Sequence, residues 1–168
     1  MTENLDHIRA KPDETLLQHT DAVVERFQML RARYAASLAL PEEFWKHAYW
    51  AVLFHDFGKV CGNFQDVLPP RKPGWEKNRL RHEFLSGNFM LLANAPEFLK
   101  NQSLGVFAVF SHHKPLTDEL FQADCKQNLV LPKQEYADLQ ALFQGKSRTD
   151  GFPFPISNNL LSGAFGST

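Results

Sequence analysis

Four stretches of the chain repeat apolar side chains at three- and four-residue intervals, and each carries histidine within the series. Spacing of this kind puts the apolar residues on one face of a helix, so the histidines fall among residues that should be buried. Leu16, Thr20, Val23, Phe27, Leu30 and Tyr34 define the first face, and His19 lies three after Leu16 and four before Val23. Phe44, Ala48, Ala51 and Val52 define the second, which His55 extends. His82 precedes Leu85, Phe89 and Leu92 at helical spacing. His113 follows Val106 and Phe110, while His112 continues Gly105, Ala108 and Val109.

The boundaries follow from punctuation residues. Lys11-Pro12-Asp13-Glu14 predicts a helix start, with proline suited to the first turn and acids to the positive dipole end. The first helix then runs from Thr15 to about Ser37, and a second begins at Pro41-Glu42-Glu43, with Gly58 placed to end it. A third spans about Arg79 to Asn94, and a fourth Ser103 to His113, where Lys114-Pro115 stops it. A fifth covers Lys133 to Phe143. No βαβ alternation or internal repeat is visible, so the predicted fold class is all-α. One domain covers residues 1–144, and 145–168 reads as a loop or tail with glycines, prolines and little periodicity.

Composition narrows the function. At 168 residues, 43% hydrophobic and 22% charged, the chain can bury a single core. A net charge of −1 provides no global basic field, so any nucleic-acid contact must be local. Cys61 and Cys125 form neither a disulfide framework nor a cysteine zinc cage and suit a reducing cytoplasm. Apolar runs such as Ala51 to Phe54 are too short to span a membrane, and the polar start is no signal peptide.

A lone histidine on an apolar face is usually a satisfied core residue. Here five, on four separate helices, each need a partner when buried, and those faces carry no matching supply of acids. A shared cation satisfies them together, because neutral imidazole ligates transition metals well. Asp56, beside His55, is the natural bridging carboxylate, its two oxygens able to hold two ions about 3.5–4 Å apart. Two such ions lower the pKa of water and stabilise both oxygens of an in-line phosphoryl displacement.

The order His19, then His55-Asp56-Phe57-Gly58-Lys59, then His82, then His112-His113-Lys114-Pro115, resembles the HD phosphohydrolase superfamily. Within it, the HDxGK form and the paired histidines followed closely by proline resemble the HD nuclease domain of the CRISPR type I helicase–nuclease. The likeness covers about residues 15–116. It implies an HD helical bundle with a metal site between its helices (ligand helices about 13–116) that cuts single-stranded DNA. It also implies that His19, His55 and Asp56 hold one ion, while Asp56, His82, His112 and His113 hold a second. Histidine-rich ligation accommodates Mn, Fe, Co, Ni or Zn. Lys59 matches the family lysine, whose charge could neutralise the scissile phosphate or assist the departing oxygen. The implied partners are a helicase domain or subunit and the guide-RNA surveillance complex, in the cytoplasm.

Two departures stand out. The family has a further aspartate ligand on a later helix; Asp118, Asp124, Asp138 and Asp150 follow here, none in an equivalent helical position, and Asp150 reads as a turn. The expectation is therefore a chain cut short of that ligand. No helicase is present either: Gln144-Gly145-Lys146-Ser147 lacks the glycine a phosphate loop needs at position 140. Arg71, Lys72, Lys77, Arg79 and Arg81 cluster around Trp75, which suits phosphate pairing with base stacking along a single strand. Phe64 should pack, and His7 and His47 should lie at the surface. The competing readings are an HD phosphohydrolase of nucleotides or cyclic nucleotides, and a non-catalytic HD scaffold with an incomplete metal site.

Overall fold

A computed structural model describes residues 5–74, 81–93, 103–113 and 132–153, and six α-helices and one short hairpin lie among these described residues. The strands are β1 (Arg9–Lys11) and β2 (Glu14–Thr15), paired antiparallel. The helices are α1 (Leu16–Leu38), α2 (Glu42–Phe54), α3 (Gly62–Gln65), α4 (His82–Ala93), α5 (Ser103–Ser111) and α6 (Lys133–Thr149). The molecule is thus mainly helical, as the periodicity predicts. No helix among the described residues is long and apolar enough to cross a membrane.

The hairpin corrects the expected helix start. Pro12 and Asp13 make the turn between the strands rather than a first helical turn, a role their chemistry fits equally well. The helix starts one residue beyond the hairpin, where a reciprocal cap forms: Gln18 N–H donates to the Thr15 hydroxyl, and Thr15 N–H donates to the Gln18 side chain.

The buried face of α1 is turned from the one its spacing suggests. Leu16, Thr20, Val24 and Phe27 are buried and the line continues through half-buried Arg31 and Ala35, which leaves Leu30 and Tyr34 exposed on a neighbouring face. On α2 the main core face is shifted from the expected one. Trp45, Tyr49, Trp50, Leu53 and Phe54 are buried and Phe44 is exposed. Ala48, Ala51 and Val52 are partly buried, and Ala51 approaches Gly105 of α5. The helix is covered on two sides, so a single stripe could not describe it. His47, expected at the surface, is half-buried, its ring edge-on to Trp50 at 5.0 Å.

Phe57 anchors the interior. Its ring meets Phe54, Phe89, Tyr136 and Phe143 at centroid distances of 5.6, 5.1, 5.3 and 5.6 Å, tying α2, α4 and α6 together. Beyond α6, Asp150 accepts from the Tyr49 hydroxyl at 2.7 Å, and the Phe152 carbonyl accepts from the Trp50 indole at 2.9 Å. Of the expected loop over 145–168, residues 145–149 are instead the last turn and a half of α6, which Gly151 ends at φ 81°, and 154–168 lie outside the described residues.

Gly58 does not cap α2, which ends at Phe54. It lies in a 3-10 turn (Phe57–Val60) pressed onto the start of α4, with its N–H donating to the Ser86 hydroxyl at 2.7 Å. A Cβ here would overlap the His82 carbonyl oxygen and sit 2.7 Å from Leu85 Cβ and 2.9 Å from Ser86 N. Backbone cannot yield cheaply there, so Gly58→Ala should cost about 3 kcal/mol or more, at the top of the overpacking range. Urea denaturation measures this; a loss below about 1 kcal/mol would contradict the close approach.

Candidate metal centre

The turn after α2 carries the chemistry. Asp56 follows the helix end and is buried, 2% exposed, and its two carboxylate oxygens face different sets of side chains. Oδ2 lies 3.2 Å from His19 Nε2 and 3.4 Å from His55 Nε2. Oδ1 lies 3.0 Å from His82 Nε2 and 3.5 Å from His112 Nε2. His113 completes the second set, with its ring 5.0 Å from His82 and 4.1 Å from His112. Each set can hold a metal ion: within His19, His55 and Asp56, and within Asp56, His82, His112 and His113, the ligand atoms lie within 4.8 Å of one another. All six predicted ligand residues are therefore brought together, one set on each oxygen of a single carboxylate.

The elements explain the convergence. His19 projects from the first turns of α1 and His82 opens α4, while His55 caps α2 and His112 and His113 directly follow α5. Outer partners orient four of the five rings. His55 Nδ1 donates to the Val52 carbonyl at 2.7 Å and His112 Nδ1 to the Val109 carbonyl at 2.6 Å. His19 Nδ1 meets the Glu14 carboxylate at 3.1 Å, and His82 Nδ1 lies 3.5 Å from Glu83. With Nδ1–H engaged in this way, a neutral ring turns its Nε2 lone pair to the carboxylate. Two acceptors then face each other. Asp56 Oδ1, His82 Nε2 and His112 Nε2 are buried without a hydrogen-bond partner. A cation between them satisfies all three, and the donor set of imidazoles and carboxylate fits a transition metal.

Electrostatics agree with an anionic centre. Burial pushes the Asp56 carboxyl up, but His112, His19, His55 and His82 outweigh it and hold the group below the usual carboxylate range. Burial lowers the His82 pKa against the pull of Asp56, whereas at His112 the pull of Asp56 and the Val109 carbonyl overcomes burial and raises it. Burial and then neighbouring His112 lower His113.

Lys59 is not solvated. It is 6% exposed, and its ammonium lies 2.6 Å from Asp56 Oδ2, donates to the Ala10 carbonyl at 3.3 Å and faces the Phe64 ring at 5.3 Å. Phe64 packs, as expected, edge-on to His82 at 5.1 Å. Of the basic segment, Trp75, Lys77 and Arg79 lie outside the described residues. Arg71 and Lys72 are exposed, Lys72 pairing with Asp66 at 2.5 Å. Arg81 turns inward and holds Glu83 through two contacts of 2.6 Å.

Among the later aspartates, Asp118 and Asp124 fall outside the described residues. Asp138 accepts from Gln134, and Asp150, engaged by Tyr49, belongs to neither ligand set. Sequence reasoning missed Glu14 and Glu83. Glu14 sits across the hairpin register from Lys11, its salt-bridge partner, and Glu83 directly follows a ligand, so neither spacing hinted at a role. Comparison with family models, with curated proteins and with solved structures finds no match.

Loading with Mn or Ni and measuring metal per chain by elemental mass spectrometry should give close to two ions, one per ligand set. Asp56→Ala, which removes the ligand common to both sets, should bring the ratio close to zero. Unchanged stoichiometry in the variant would show that Asp56 is not the shared ligand.

Proposed function

We propose that this chain is a metal-dependent nuclease of the HD type, with a dinuclear centre between its helices, that degrades single-stranded DNA in CRISPR antiviral defence. The observation that carries this reading is the carboxylate of Asp56, each oxygen facing its own set of histidines. Two ions on one carboxylate are the arrangement that in-line phosphodiester hydrolysis uses: bound ions acidify water and neutralise charge on the attacking and departing oxygens.

The chain's own residues would do the rest. His19, His55 and Asp56 would hold one ion, and Asp56, His82, His112 and His113 the other. The Val52 and Val109 carbonyls and the Glu14 and Glu83 carboxylates keep the ring nitrogens aimed inward. Lys59 adds a buried positive charge on the Oδ2 side; its pairing with Asp56 supports a role at the carboxylate rather than at a solvent-facing phosphate. Exposed Arg71 and Lys72 can meet the phosphate backbone of an approaching single strand. Single-stranded substrate would come from a helicase partner recruited by a guide-RNA complex in the cytoplasm.

Cleavage of single-stranded DNA with Mn or Ni present, compared with Asp56→Ala, tests this. The variant should lose more than the roughly 10–100-fold typical of an outer-shell change. Turnover of mononucleotides or cyclic nucleotides with DNA left intact would move the function to a nucleotide phosphohydrolase. Equal, background-level signals from wild type and variant would leave a non-catalytic scaffold.

A further inference from the structure

The two ligand sets are unequal, and Lys59 makes them so. On the Oδ1 side Asp56 meets three histidines, and every buried polar atom there without a hydrogen-bond partner belongs to that set: Asp56 Oδ1, His82 Nε2 and His112 Nε2. On the Oδ2 side it meets, among the described residues, His19 and His55, and the same oxygen already pairs with the Lys59 ammonium at 2.6 Å. That ammonium has a built seat. The Ala10 carbonyl at 3.3 Å and the Phe64 ring at 5.3 Å hold it in place, with 6% of the residue exposed.

We infer that Lys59 is a resident counter-cation that contends with an incoming metal ion for Asp56 Oδ2, so that ions load in a fixed order. Resting on the dinuclear reading above, this goes beyond it by assigning the order and its cause. The first ion enters the Oδ1 set, where it relieves unsatisfied acceptors and meets no lysine ammonium. The second must share Oδ2 with an ammonium, or displace it from a seat where burial leaves little solvent to screen the repulsion. At low metal the protein is therefore a one-ion species with Lys59 completing the charge balance. Only at higher metal does it become a two-ion species.

Calorimetric titration of the metal-free chain with Mn, no nucleic acid present, tests the order. Wild type should show two steps, the second weaker by about tenfold or more, on the scale by which partners of ligating carboxylates tune affinity. Lys59→Met, which keeps the bulk and removes the charge, should tighten the second step by about tenfold and change the first less. Two equal steps in wild type would overturn the inference. A second step that stays put in Lys59→Met would do the same, because ligand number alone would then explain the difference.

If circular dichroism shows that Lys59→Met fails to fold, His19→Gln and His82→Gln still decide the order. His19→Gln should abolish the weaker step and His82→Gln weaken the tighter one; the reverse would overturn the assignment. Failure of wild type to bind Mn would sink the dinuclear reading together with this one. Two unequal, Lys59-dependent steps in a chain that does not cut DNA would sink the nuclease reading and leave this one standing.

Discussion

A carboxylate taken out of water needs positive charge around it, and in this protein that requirement falls on Asp56. Its neighbours are five histidines and one lysine, drawn from α1, the turn after α2, the start of α4 and the residues after α5. An unpaired buried carboxylate would cost several kcal/mol and would protonate instead. The arrangement therefore makes sense only if the surrounding groups bring compensating charge, from an ammonium, protonated rings or bound cations. The helices are positioned by the aromatic packing around Phe57, one residue after Asp56, so the core and the polar centre share one stretch of backbone.

That proximity also explains Gly58. Between Phe57, which needs the core, and Lys59, which needs the carboxylate, the chain must lie almost against α4, and only a residue without a Cβ fits there. The Ser86 hydroxyl takes the freed N–H, so the close approach leaves no backbone donor unpaired. Packing, hydrogen bonding and the position of His82 beside Asp56 thus meet in one contact between a turn and a helix.

Much of the centre was legible from spacing alone. A histidine placed in an apolar series at helical period falls on the side that faces the core, and several such series have to meet there; His113, just past the end of α5, is the one of the five that stays exposed. The five histidines therefore followed from periodicity and Asp56 from its place beside His55, while their division into two sets came from the resemblance. What spacing could not reveal was nonlocal or frayed. The start of α1 was misjudged because Pro12 and Asp13 suit a turn as well as a first helical turn, and only pairing with β1 decides between them. The main buried face of α2 was displaced because two partners cover that helix, and a two-sided helix has no single stripe. Arg81 reads as a surface cation until Glu83 folds inward beside His82. Gly145 looked like a breaker, yet it sits in open space where a helix tolerates glycine at modest cost.

The partners chosen for His55 and His112 carry one more implication. Each ring is tethered to a carbonyl three residues back, Val52 or Val109, in the final turn of its helix. Those carbonyls belong to the negative poles of α2 and α5, so both helices direct the same end of their macrodipoles at the histidine cluster. The attraction for cations is therefore written partly into backbone orientation, before any side chain is counted. It also makes helix phase a chemical variable. A one-residue insertion or deletion within α2 or α5 would rotate its histidine by about 100° around the helix axis, carrying the ring off the site while leaving the composition of the chain almost untouched.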